Sequence, residues 1–214
     1  MQEFEFDWER KQRTGIAEAI LCEGKTVEQI TSILTQANKR RISLLLTRLA
    51  PQVMQECHEA FPNLVPHQQS ATAVLTNGLA SPKTSSCLIV TAGTSDMKVA
   101  SEARQTLLYN GLDVPLIADC GVAGLWRLTD KLDLLNSAPV IIAVAGMEGA
   151  LFPVLAGLIE GVVIAVPTSN GYGVAEGGRV ALGSALSACS PGVVTVNIDN
   201  GFGAACALLK ILRA

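Results

Sequence analysis

The sequence predicts an α/β fold: a three-layer, doubly wound domain with a five-stranded parallel sheet, preceded by a small mainly helical N-terminal region. Three observations predict it. Two runs, VIIAVAGMEG from Val140 and VVIAVPTSNGYG from Val162, are built of β-branched and small apolar residues that break abruptly into turn residues. An unbroken apolar run of this kind suits a parallel strand covered by helices on both faces. From residue 87 onward, strand and helix patterns alternate with short links, as in a parallel sheet with right-handed crossovers. The chain is also 49% hydrophobic but only 4% aromatic, so its core must pack Val, Ile, Leu and Ala against Gly.

The elements follow in order. Residues 1–80 form the first region. Residues 8–21 read as a helix; Gly24 then breaks the chain, and Thr26 opens a second helix, with Gln29 three residues on completing a capping box. Val27, Ile30, Ile33 and Leu34 share one face of that helix. Pro51 suits the first turn of a third helix. Leu44, Leu45 and Leu46 read as a short strand or core segment. Residues 62–86, with Pro62, Pro66 and Pro82 among Ser, Thr and Gln, read as a connector carrying a short strand through 73–75.

Residues 81–214 form the second domain. Its strands are expected at 87–91, 114–118, 139–145, 162–166 and 193–198. Helices are expected at 98–109, 125–135, 150–159, 179–188 and 204–212. Five such units predict a flavodoxin-like sheet of order 2-1-3-4-5. Ligands then belong at the carboxyl ends of the first and third strands, where the order reverses. The loops there are Ala92-Gly93-Thr94-Ser95-Asp96 and Gly146-Met147-Glu148-Gly149.

Composition narrows the function. A net charge of −3 with pI near 5.4 argues against a nucleic-acid partner, which calls for a basic face. Lys210 and Arg213 answer the dipole of the last helix. No apolar run reaches the ~18 residues of a membrane span, and the polar N-terminus lacks the apolar core of a signal peptide. These features predict a soluble, cytoplasmic protein with no membrane partner. Six cysteines without a CxxC pair predict neither disulfides nor zinc, and most should be small buried hydrophobes.

Thr94 and Ser95, after the flexible Gly93, either hold a phosphate at a helix N-terminus or simply cap the helix. No GxGxxG and no Walker lysine is present. Pro167-Thr168-Ser169-Asn170-Gly171-Tyr172-Gly173 is long and glycine-rich, suited to covering a ligand as a lid. Asp199, followed by Asn200, is a helix cap or a site carboxylate. The only histidines, His58 and His67, precede the second domain. Acid–base chemistry there falls to Asp96, Asp119, Glu148, Asp199, a cysteine or water. Cys189, in the glycine- and serine-rich turn SACSPG, is either partly exposed and reactive or one more buried, inert thiol.

The blocks AGTSDMKVASEA, DCGVAGLWRL, VAGMEGALFPVLAGLI, VPTSNGYG, SACSPG and VNIDNGFGAACALL together resemble the LarB family, distant relatives of the PurE aminoimidazole ribonucleotide carboxylases. RTGIAEAILCEGKTVEQI and LLLTRL resemble the LarB leader region. The resemblance covers nearly the whole chain. It implies a PurE-like second domain and a homo-oligomer, an octamer in the family pattern. The implied substrates are nicotinic acid adenine dinucleotide and CO2 or bicarbonate. The implied products are pyridinium-3,5-biscarboxylic acid mononucleotide, the nickel-pincer precursor, and AMP, with no organic cofactor.

By the same resemblance Cys189 matches the nucleophile. Glu148 is the expected base, its apolar flanks expected to raise its pKa. Gly93, Thr94, Ser95 and Asp96 match the loop that grips ribose and phosphate. Gly146, Thr168, Ser169, Gly171, Tyr172, Asp199 and Asn200 complete the expected substrate site. Asp96 or Asp119 would hold a Mg2+, and Arg127 would meet a phosphate or the nicotinate carboxylate. PurE proteins carry Ala-His-Arg where this chain has Gly124-Leu125-Trp126-Arg127. That departure counts against imidazole-ribonucleotide carboxylation, and Trp126 either stacks on a base or packs beneath the loop. A PurE-type carboxylase or mutase and a non-catalytic nucleotide-binding module are the alternative readings.

Overall fold

The computed structural model describes residues 4–213. The chain divides into two compact units between Pro82 and Lys83, with Tyr109–Gly111 counted to the first.

The first unit is a mixed sheet with helices rather than a mainly helical region. Helix α1 (Arg10–Thr14) is short because Gly15, at φ 79°, adopts the left-handed conformation that ends helices and bonds back to Lys11. The chain then forms β1 (Ala19–Leu21) where a continuing helix was predicted. Helix α2 (Val27–Lys39) begins with the Thr26–Gln29 capping box, and β2 (Leu44–Thr47) follows. Helix α3 (Pro51–Ala60) has its proline in the first turn.

Within the predicted connector lie β3 (Leu64–His67) and β4 (Thr72–Leu75). The sheet order is β1-β2-β4-β3, with β1 and β2 parallel and the remaining pairs antiparallel. Strand β3 contains Pro66, which lacks an N–H donor, and it lies at the sheet edge where that donor is dispensable. Ile30, Leu34, Leu44, Leu46, Leu64 and Leu75 form the core of this unit.

The second unit opens with β5 (Lys83–Thr84). Then come β6 (Leu88–Thr91), α4 (Met97–Tyr109), β7 (Leu112–Asp113) and β8 (Leu116–Ile117). Helices α5 (Trp126–Thr129) and α6 (Leu132–Asn136) lead into β9 (Val140–Ala145). The chain continues through α7 (Leu151–Ala156), β10 (Val162–Pro167), α8 (Arg179–Leu186), β11 (Val193–Thr195) and α9 (Gly201–Ile211).

Five strands form one parallel sheet of order β11-β10-β9-β6-β8, which is the predicted 2-1-3-4-5. The small β5–β7 pair takes part of the predicted second strand, and Pro115 separates it from β8. The helix predicted at 125–135 breaks in two around Asp130 and Lys131.

Alternate residues of the apolar runs serve opposite faces. Leu88, Val90, Ile141, Ala143, Val163 and Ala165 join Leu128, Leu135, Phe152, Leu155, Ala181 and Ala185 in one core. On the other face α9 packs against β9 and β10, and the backbone of Gly201 lies against that of α4. Both faces of β9 are therefore covered, and all six of its residues are buried. Among the described residues no helix is long and apolar enough to cross a membrane.

Candidate functional site

All five strands point the same way, so the turns after them gather along one edge. There the structure brings together Gly93–Asp96 after β6, Gly146–Gly149 after β9 and Thr168–Asn170 after β10. Asp96, only 3% exposed, organises them. Its Oδ2 accepts the Gly93 N–H at 3.0 Å. Its Oδ1 accepts the Thr168 hydroxyl at 2.7 Å and the Asn170 amide at 3.0 Å. The same Asn170 amide donates to the Ser95 carbonyl at 2.9 Å.

Asp96 thus closes its own turn and ties it to the next loop, while Thr94 and Ser95 stay exposed at the start of α4. Exposed hydroxyls and backbone N–H groups before a 13-residue helix form a surface suited to phosphate.

The turn after β9 is held as firmly. The Met147 N–H donates to the Asn170 carbonyl at 2.8 Å, and the Gly149 N–H donates to Gly146 at 3.0 Å. A side chain at Gly146 would overlap the Asn170 carbonyl and stand 2.8 Å from the Thr168 hydroxyl, so only glycine fits. Glu148 is exposed on this edge. Its neighbour Met147 is exposed with it, so its flanks do not enclose it in apolar surroundings within the single chain.

After β8, the Asp119 N–H donates to the Thr91 hydroxyl at 3.2 Å, and its carboxylate faces Arg127 at 3.3 Å. The Arg127 guanidinium lies 5.6 Å from the centre of the Trp126 ring. Trp126 is 63% exposed, so it presents an aromatic face to solvent and does not pack beneath the loop. Burial pushes the neighbouring Cys120 thiol up.

After β11, Asp199 donates its N–H to Pro167 at 2.8 Å and accepts the Ser169 N–H at 2.9 Å. Asp199 therefore ties two turns together. Asn200 accepts the Gly203 N–H at 2.8 Å and caps α9 through its side-chain oxygen. Beyond Gly171, Tyr172 projects outward at 77% exposure on the segment predicted to cover a ligand, and Val174, just after that segment, at 95%.

In the second unit, the non-glycine residues with left-handed backbone are Asp119, Met147 and Asp199. Each follows a sheet strand. Backbone of this kind costs about 1–3 kcal/mol and concentrates where structure serves function.

Cys189 lies elsewhere. It precedes β11, whose Val193 is level with Val163 and with Ile141 near the start of β9. It therefore sits at the amino edge of the sheet, opposite the edge that carries Glu148. Cys189 is exposed, which decides between the two readings its turn left open, but within one chain it is not brought to the other site residues. Its neighbour Ser190 donates to the Pro153 carbonyl at 2.9 Å, which fixes the turn.

Asp96 and Asp119 do not fit a resident Mg2+. Both Asp96 oxygens already accept hydrogen bonds from the protein, and Asp119 stands at the surface opposite Arg127. Among the described residues no group of three or more His, Cys, Asp or Glu is placed to hold a metal ion.

Asn170 is the residue that sequence reasoning missed as part of the site. It stands inside a run of turn formers, where an asparagine is ordinary, and only the folded loops show its partners.

Comparison with known proteins agrees with this architecture. Residues 1–77 match the LarB/PurE-like N-terminal domain, and residues 86–214 match the AIR carboxylase domain. An uncharacterised protein of Methanocaldococcus jannaschii is 34% identical over 211 residues, covering 95% of this chain and 81% of that protein. The sheet order, the turns along its carboxyl edge and both domain matches lead to one conclusion: the chain belongs to the LarB family and carries a PurE-like AIR carboxylase domain.

Proposed function

We propose that this protein carboxylates and hydrolyses nicotinic acid adenine dinucleotide, releasing pyridinium-3,5-biscarboxylic acid mononucleotide and AMP for nickel-pincer cofactor synthesis. One observation carries the reading beyond the carboxylase-like function of the family. Cys189 is the exposed cysteine, whereas Cys22, Cys57, Cys87 and Cys120 are buried and Cys206 is intermediate. A surface thiol in the SACSPG turn is what covalent chemistry on an electron-poor ring requires.

In this reading the thiolate adds to the pyridinium carbon beside carbon 5, giving a neutral dihydropyridine. The electron pair released toward carbon 5 attacks CO2 and forms the new carbon–carbon bond. Glu148 takes the proton from carbon 5, the carbon–sulfur bond breaks, and the thiolate leaves as aromaticity returns. Water adds across the phosphoanhydride to give the mononucleotide and AMP. Thr94, Ser95 and the backbone N–H groups before α4, together with Arg127, hold the phosphates.

Glu148 and Cys189 lie at opposite edges of one sheet, so the reaction requires two subunits, one supplying each. A homo-oligomer, octameric in the family pattern, is therefore part of the proposal. So is a cytoplasmic location, where free thiols persist. The PurE-type alternative is disfavoured because residues 83–214 contain no histidine. A purely binding role leaves the exposed thiol unused.

The test is incubation of the protein with nicotinic acid adenine dinucleotide and bicarbonate, with both products followed by mass spectrometry. Wild type is expected to form AMP and a carboxylated mononucleotide in equal amounts. Cys189→Ser is expected to form no carboxylated product while binding the dinucleotide. Full turnover by that variant overturns the covalent route.

A further inference from the structure

We propose that Asn170 is a positioning residue that locks the Glu148 turn to the phosphate-facing turn before α4. The role in turnover rests on the reading above, but the lock itself stands on geometry alone.

From its own turn after β10, Asn170 meets two others at once. Its side-chain amide donates to the Ser95 carbonyl at 2.9 Å and to Asp96 Oδ1 at 3.0 Å. Its main-chain carbonyl accepts the Met147 N–H at 2.8 Å. Met147 is one residue before Glu148 and has φ 52°, a conformation costing a side-chain-bearing residue about 1–2 kcal/mol. The bond to Asn170 offsets part of that cost and sets the direction in which the next residue leaves the turn. Gly146 completes the lock, because a side chain there would strike the same carbonyl.

The side-chain and main-chain halves act together. When the amide holds the β10 loop on Ser95 and Asp96, the carbonyl is fixed where Met147 needs it. When the amide is removed, the loop and the Met147 bond loosen as one. Glu148 is otherwise an exposed residue on a short turn, and a displacement of about 1 Å at a reacting group lowers turnover by ~100-fold.

The experiment compares the full-length wild type with Asn170→Ala and Asn170→Asp. Aspartate keeps the shape but cannot donate, and it faces the Ser95 carbonyl and the Asp96 carboxylate. Native-state hydrogen exchange is expected to quicken about tenfold at Met147 and Asp96 in both variants, as for loss of a hydrogen bond. The strand β9 amides should keep their protection.

In turnover, kcat is expected to fall ~100-fold in both variants, with KM rising no more than about threefold. Wild-type kcat in Asn170→Asp overturns the donor role, and unchanged exchange at Met147 in Asn170→Ala overturns the lock. Should Asn170→Asp fail to fold, Gly146→Ala strains the same contact from the other side and must quicken Met147 exchange, or the lock is overturned. A wild type that turns over no dinucleotide removes only the functional reading, since the exchange measurements still decide the lock.

Discussion

Two inactive variants of this protein should restore activity to each other. Ile141 is level with Val163 and Val193, and Ala145 stands four residues further along β9. At about 3.3 Å per residue this is about 13 Å of sheet. Cys189 lies beyond one end of that span and Glu148 beyond the other. Reaction at neighbouring ring carbons demands approach to about 3–3.5 Å, so both groups reach one ring only when they come from different subunits.

Cys189→Ser and Glu148→Gln are each expected to give no carboxylated product alone. Co-expressed in equal amounts with different tags and purified through both, the mixed oligomer contains sites pairing an intact thiol from one variant with an intact carboxylate from the other. For random assembly these are about one quarter of all sites. Carboxylated mononucleotide, measured by mass spectrometry, should therefore form at about one quarter of the wild-type rate per site. No activity in the mixed oligomer, against full activity in doubly tagged wild type, would refute the reasoning from sheet geometry.

Three further outcomes are expected. Under native conditions near pH 8, a maleimide should label Cys189 first. The buried Cys22, whose thiol is pushed up to about 12 by burial, and the buried Cys120 should react only on unfolding, as peptide mapping will show. Thr168→Val keeps the shape of a fully buried side chain but removes a donor to Asp96. It should cost about 1–3 kcal/mol in urea unfolding followed by the second unit. Burial holds the His67 imidazole below its ordinary value of 6.5. The unfolded chain therefore binds a proton at higher pH than the folded one, and stability is expected to fall as pH drops below 6.5. His67→Gln should flatten that slope in denaturation curves taken across pH 5 to 7.

The second unit was legible from its residues because each apolar run fills both faces of a strand and each turn is punctuated by glycine or a hydroxyl residue. The first unit was less legible. Its strands are three or four residues long, too short to show a period. Pro66 reads as a linker signal until β3 is seen to be an edge strand. The site was legible as a list of turns, but the role of each side chain was not. Asn200 and Asp96 belong to the same class of polar turn residues, yet one caps a helix and the other joins two loops.

The sequence by itself determined the parallel sheet, its strand order and the edge where the turns gather. These follow from local pattern and from the chirality of strand–helix–strand crossovers, which permits few arrangements. Only the tertiary structure decided that Asn170 joins three turns, that Trp126 faces solvent and that Cys189 and Glu148 stand at opposite edges. Those facts depend on contacts between residues far apart in the chain, and neither local propensity nor spacing contains that information.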